Sequence, residues 1–122
     1  MKKFTKEHEW IDENGIVGIS NYAQEQLGDV VYVSLLSELG AEVSQGDEIA
    51  EIESVKSVSQ IYAPIDGKIL EFNSIFEDES KSGIVNEDPY GTGWILKMEI
   101  KSQSQLDNLM DEKAYEEYIA TL

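Results

Sequence analysis

Lys56 stands between two runs with strand character, Glu48–Ser54 and Ser57–Tyr62, at the point where the chain must reverse. A lysine in such a bend projects its amine into water, where it is mostly protonated and a weak catalyst unless desolvated. It is, however, a good handle for a modifying enzyme, which can reach it on a rigid hairpin. Between Lys6 and Lys101 the only basic residues are Lys56, Lys68, Lys81 and Lys97, and arginine is absent. On spacing alone Lys56 reads as an ordinary turn lysine. The chain offers little other chemistry. Cysteine is absent, which excludes disulfides, thiolate metal sites and a cysteine nucleophile. His8 is the only histidine, too few for a metal site and without a serine in a nucleophile motif. Glu77–Glu79 lacks the alternating ligands and central glycine of a calcium loop, and Gly91 and Gly93 lack dinucleotide-binding spacing. Trp10 and Trp94 read as core or near-core, and Tyr90 as a loop packing residue.

The elements that must hold the lysine follow from local pattern. Ile49, Ile52, Val55, Val58 and Ile61 anchor the two flanking runs, although their spacing is not a clean period of two. Upstream, Phe4–Ile11 reads as one strand that ends at the turn Asp12–Gly15, and Ile16–Ile19 resumes as its hairpin partner. Ser20 or Asn21 caps a short helix over 22–27, which Gly28 closes in a left-handed conformation. Val30–Leu36 is rich in β-branched residues and reads as a strand buried on at least one side. Gln45–Asp47 and Ala63–Gly67 are turns, and Lys68–Asn73 and Trp94–Ile100 are strands. Ser74–Gly83 reads as a polar, acidic loop with room for a short helical turn, and Asn86–Gly93 as a loop. Ser102 and Gln105 match a capping box, so a helix starts there, and Asp111 or Glu112 caps a second segment with Tyr115, Tyr118 and Ile119 inward. The similar runs Gly46–Glu53 and Gly67–Phe72 suit a β-sandwich with an internal pseudo-two-fold.

At 122 residues and 41% hydrophobic, the chain supports one modest core, so residues 1–122 are expected to form a single domain. A net charge of −16 removes nucleic acid and anionic membrane surfaces from the partner classes, since phosphate binding needs a basic patch. The same charge disfavours tight self-association and favours a monomer. The first ten residues lack the apolar segment of a secretory signal, so a cytoplasmic location is expected, or the mitochondrial matrix in a eukaryote.

The run E-S-V-K-S (Glu53–Ser57), followed by I-Y-A-P-I-D-G-K-I (Ile61–Ile69), resembles the lipoyl-attachment hairpin of the glycine cleavage system H proteins. H-E-W-I (His8–Ile11), Val17–Val30 and V-N-E-D-P-Y-G-T-G-W (Val85–Trp94) resemble other segments of that family, in the family's order, so the resemblance spans about Phe4 to Tyr118. It implies a mainly β fold, a barrel-like sandwich hybrid of the lipoyl/biotinyl carrier type, with a short helix near 21–27 and a C-terminal helical segment. It implies a carrier rather than an enzyme. Lipoic acid is joined covalently to Lys56 by a lipoylating enzyme, giving an arm that reaches roughly 14 Å from the backbone. The arm takes an aminomethyl group from glycine decarboxylase (P-protein) and passes it to an aminomethyltransferase (T-protein). Dihydrolipoamide dehydrogenase (L-protein) reoxidises it. The resemblance assigns Glu53 to recognition by the lipoylating enzyme. It assigns Glu9, Gln26 and Gln60 to a cleft that shelters the loaded arm, with Glu9 available to an ammonium. Gln26 stands where some members carry histidine, and Gln60 where many carry an acid, which removes a charge.

Three other readings compete. One is a lipoyl relay protein supplying 2-oxoacid dehydrogenases, which needs the same lysine. A biotin carrier fits poorly, because Val55 and Ser57 stand where that family places methionines. An unmodified β-sandwich adaptor would leave Lys56 incidental.

Overall fold

The computed structural model describes residues 1–122. Nine strands form two antiparallel sheets. Strands β1 (Lys2–Phe4), β2 (Glu9–Asp12), β3 (Ile16–Ile19), β5 (Glu42–Val43), β8 (Gly67–Phe72) and β9 (Leu96–Ile100) make a six-stranded sheet in the order β1-β2-β3-β9-β8-β5. Strands β4 (Val30–Leu35), β6 (Glu48–Ser54) and β7 (Val58–Tyr62) make a three-stranded sheet in the order β4-β6-β7. The two similar sequence runs fall one in each sheet, as β6 and β8. Helices α1 (Asn21–Leu27), α2 (Ile84–Glu87), α3 (Gln103–Asp107) and α4 (Glu112–Ile119) are short, and none is long and apolar enough to cross a membrane.

The sheets close on one continuous core. Val33, Ile49, Ile52 and Ile61 enter it from the three-stranded sheet, and Ile11, Val17, Ile69, Leu96 and Met98 from the six-stranded one. Fully burying one such side chain contributes about 1.5–3 kcal/mol, so this layer supplies most of the driving force. Phe4, Trp10 and Tyr115 form a smaller cluster that docks α4 against β1 and β2, with the Phe4 and Tyr115 rings stacked 4.4 Å apart.

The irregular spacing around Lys56 has a structural cause. A register shift between Glu48 and Ala50 in the β6–β7 pairing leaves Ile49 and Ala50 both buried, after which Ile52 and Ser54 keep the inward face. A second shift, between Val30 and Tyr32, leaves Val31 and Tyr32 both exposed on β4.

Several local expectations need correction. Phe4–Ile11 is two strands. The chain turns at Thr5–His8, where His8 N–H donates to the Thr5 carbonyl (3.1 Å) and His8 adopts φ +72°. No glycine, asparagine or proline marks that turn, so local sequence hides it. Gly28 has the expected positive φ, +76°, but its ψ is −158°, extended rather than left-handed helical, and the chain leaves α1 almost directly into β4. The residues of the capping box start α3 without making the box. Ser102 Oγ pairs with Ser104 Oγ (2.9 Å), and Gln105 Oε1 accepts from the Asp66 N–H (2.8 Å). Ser74–Gly83 holds two 3₁₀ turns, Ser74–Glu77 and Glu79–Lys81, where room for one helical turn was expected, and the short helix α2 takes in the first two residues of the Asn86–Gly93 loop.

Candidate functional site

The β6–β7 reversal is built around Ser54. Its buried Oγ accepts from the Lys56 N–H (3.3 Å) and the Ser57 N–H (3.1 Å), and its own N–H donates to the Ser57 carbonyl (2.8 Å). The serine thus supplies the acceptors that a tight bend leaves wanting. Val55 N–H leaves the hairpin and donates to the Asp29 carbonyl (3.0 Å). Lys56 is exposed, and it takes part in neither of the two ion pairs of the structure, Met1–Glu13 and Lys101–Glu42. Its methylene stem lies over Gly28. A Cβ at position 28 would stand 3.0 Å from Lys56 Cε and 3.5 Å from Nζ. Gly28 therefore serves twice, through its backbone angles and as a flat seat for the lysine.

Next to that seat opens a cleft of ≈ 290 Å³, walled by α1, β6, β7 and the Thr5–His8 turn. Ile19, Leu27, Ile52 and Ile61 line it with apolar surface, and Glu9, Gln26 and Gln60 add polar groups. Three residues spread over fifty positions of sequence thus share one cavity, beside the helix end that carries the lysine. An apolar floor with a few convergent polar groups suits a short hydrocarbon arm with a polar tip.

Glu9 is 2% exposed. Thr5 Oγ1 donates to its Oε1 (2.6 Å), and the Tyr62 N–H donates to its Oε2 (3.1 Å). Burial pushes its carboxyl up to about 7, and the Glu7 charge adds to the rise, while the two hydrogen bonds oppose it. Near neutral pH Glu9 is therefore shared between the acid and the carboxylate.

His8 also lines the cleft. Its Nδ1 lies 2.8 Å from Tyr115 Oη, which lies 2.6 Å from Ser20 Oγ. Ser20 Oγ also accepts from the Ala23 N–H as the cap of α1 (3.1 Å). Desolvation holds the imidazole below its ordinary value, so it is neutral near pH 7. With neutral His8, only one arrangement leaves no hydroxyl proton unpartnered: Ser20 O–H donates to Tyr115, and Tyr115 O–H donates to His8 Nδ1. His8 thus braces the cleft wall from α4. Tyr90 Oη accepts the Asn21 N–H (2.9 Å) and so satisfies a free donor at the start of α1.

Glu53 lies outside the cleft. It is exposed on the outer face of the three-stranded sheet, between its cross-strand neighbours Tyr32 and Val58. Tyr32, Val55 and Val58 are 40%, 67% and 51% exposed, an unusual apolar frame for an exposed lysine. Val55 and Val58, expected as anchors of the hairpin, thus lie outside the core, and sequence reasoning missed Ser54 and Asn86 altogether. Gly28 was visible only as a helix stop.

Comparison with known proteins agrees with the resemblance. A sequence model of the family described as Glycine cleavage H-protein matches residues 2–122. The glycine cleavage system H protein of Thermotoga maritima is 51% identical over 123 residues, covering 98% of this chain and 97% of that protein. The H protein of Symbiobacterium thermophilum is 49% identical over 119 residues, covering 95% and 91%. The crystal structure of the H protein of Mycobacterium marinum superposes with a TM-score of 0.84 at 34% identity, covering 98% of this chain and 96% of that one.

Proposed function

The chain belongs to the glycine cleavage H-protein family, and from that membership we propose how its residues perform the family's task. It is the lipoyl carrier of the glycine cleavage system, with the barrel-like sandwich fold of lipoyl carriers, and it works with the other components of that system. In our reading residues 1–122 act as one carrier domain, Lys56 is the attachment point, and the protein is a carrier without catalysis of its own. The specific partners are glycine decarboxylase, the aminomethyltransferase, dihydrolipoamide dehydrogenase and a lipoylating enzyme, met as a monomer in the cytoplasm.

The observation that carries this reading is the position of Lys56, exposed in the β6–β7 bend with its stem on Gly28, at the end of the helix that walls the cleft. Lipoic acid, once joined to the lysine amine, supplies the dithiol chemistry that a cysteine-free chain lacks. The chain's own residues do the rest. Ser54 and Asp29 hold the bend, so the amine is offered in one direction. Glu53, in the exposed row with Tyr32 and Val58, is read by the lipoylating enzyme. Ile19, Leu27, Ile52 and Ile61 exclude water from whatever enters the cleft, and Gln26 and Gln60 offer hydrogen bonds. Glu9 loses its proton readily when a cation approaches, because the new partner offsets the cost of its buried charge. Gln60 is neutral, so Glu9 holds the cation without a second acidic group at that position.

Intact mass spectrometry tests the reading. Incubation with lipoate, ATP and a lipoate-attaching ligase is expected to add one lipoyl group, and Lys56→Ala should remove the gain. An unchanged mass in the parent protein overturns the carrier reading. The lipoylated protein should then support glycine-dependent carbon dioxide release by the decarboxylase. A relay protein for 2-oxoacid dehydrogenases would be lipoylated without supporting that release.

A further inference from the structure

Resting on Lys56 as the anchor of the arm, we propose that Asn86, thirty residues away on α2, is the positioning residue of the lysine tip. Its amide commits every group to one short segment. Nδ2 donates to the Gly28 carbonyl (2.8 Å) and to Gln24 Oε1 (3.0 Å), and Oδ1 accepts from the Val30 N–H (2.9 Å). Those bonds bracket Asp29 from both sides. The Asp29 carbonyl receives the Val55 N–H (3.0 Å), and Gly28 carries the Lys56 stem. Ser54 also bonds within the bend, but those bonds move with the tip and cannot orient it. Beyond the strand pairing of Val30 with Ser54, the tip's bearings on the rest of the protein are the Gly28 face and the Asp29 carbonyl, and Asn86 clamps both.

The chemistry specifies asparagine. The position needs two donors and one acceptor on a short planar group. Aspartate lacks the donors, glutamine is a methylene too long, and serine is too short to span the α1 end and the start of β4. Without the clamp, residues 28–30 loosen, the Val55 bond opens more often, and the Lys56 amine leaves a wider range of directions. An enzyme that must capture the amine in one direction then pays the ordering cost on binding. The effect falls on KM for lipoylation and leaves kcat in place.

The control is built into the fold. Asn73 is a second clamp, donating to the Thr92 carbonyl (3.0 Å) and the Trp94 carbonyl (2.8 Å) and accepting from the Ile75 N–H (3.2 Å). None of its bonds goes to residues 28–30 or 54–57. Asn86→Ala and Asn73→Ala are compared in the full chain by hydrogen exchange at the Val55 amide and by lipoylation kinetics with a lipoate-attaching ligase. Asn86→Ala is expected to speed Val55 exchange about tenfold relative to Asn73→Ala, the worth of roughly one hydrogen bond. It should also raise KM about tenfold at unchanged kcat. Equal Val55 exchange in the two variants overturns the proposal, as does a loss confined to kcat. Asn86→Asp, which keeps the acceptor for Val30 and removes both donors, makes the same comparison if the alanine variant does not fold. A parent protein that takes no lipoyl group sinks the carrier reading instead, and the Val55 exchange still decides the role of Asn86.

Discussion

Replacing Glu9 with glutamine should stabilise the unlipoylated protein at neutral and alkaline pH and leave it almost unchanged in acid. Its carboxyl titrates at about 7 in the fold against 4.5 ordinarily, because burial disfavours the charge. A folded-state value raised above the unfolded one means that the native state holds the proton more tightly. The stability this gives is fully present below pH 4.5 and is lost as the pH climbs through 7. Above that window the buried carboxylate costs the fold about 3 kcal/mol, from about 1.4 kcal/mol for each pH unit between the two values. Glutamine cannot ionise, and its amide oxygen can still accept from the Tyr62 N–H or from the Thr5 hydroxyl. The difference in unfolding free energy between Glu9→Gln and parent, read from urea titrations at half-unit steps from pH 4 to 8.5, isolates this one group. The other carboxylates are common to both proteins. It should start near zero and rise through pH 5–7 toward about 3 kcal/mol, or about 10 °C in Tm at pH 8. A difference that stays flat across the window, or that grows as the pH falls, refutes the reasoning.

In the lipoylated and loaded protein, Glu9→Ala should leave lipoylation intact and speed loss of the aminomethyl group, followed by release of formaldehyde; equal decay in variant and parent removes Glu9 from that role. Gly28→Ala places a Cβ 3.0 Å from Lys56 Cε in a backbone region that suits glycine. It should cost about 1–3 kcal/mol by denaturant midpoint and slow lipoylation, and a variant as stable and as fast as the parent argues against a seat at that position. Tyr115→Phe strips the hydroxyl between Ser20 and His8. The loss should be about 1–3 kcal/mol by urea unfolding at pH 7.5, and a change within error would mean water replaces the bridge. Glu53→Ala should lower kcat/KM for lipoylation without changing Tm, since its side chain is exposed; an unchanged rate returns Glu53 to an ordinary surface residue.

Much of the architecture was legible because it rests on short-range rules. The hairpin around Lys56 followed from two apolar runs separated by a bend, and α1 followed from Ser20 and Gly28 at its ends. The turn at Asp12–Gly15 was marked by its residues, and Asp12 Oδ1 accepts from the Asn14 and Ile16 N–H groups there. Where the local reading failed, a long-range partner had won. Gln105 was drawn from its capping box to the Asp66 N–H, and the Phe4–Ile11 strand broke at His8, whose imidazole and backbone are held by Tyr115, Ser20 and Thr5.

By itself the sequence determined the family, the exposed lysine in its bend, the strand-dominated fold and the acidic net charge. These follow from periodicity, turn chemistry, charge and motif order, all of which are written along the chain. Only the tertiary structure decided the rest. It brought Glu9 within 3.1 Å of the Tyr62 N–H, fifty-three positions on, and it raised the Glu9 carboxyl by burying it. It seated Lys56 on Gly28 and clamped that seat with Asn86, fifty-eight positions beyond Gly28. Desolvation and hydrogen bonds between distant segments depend on how two surfaces meet, and no local pattern records that meeting.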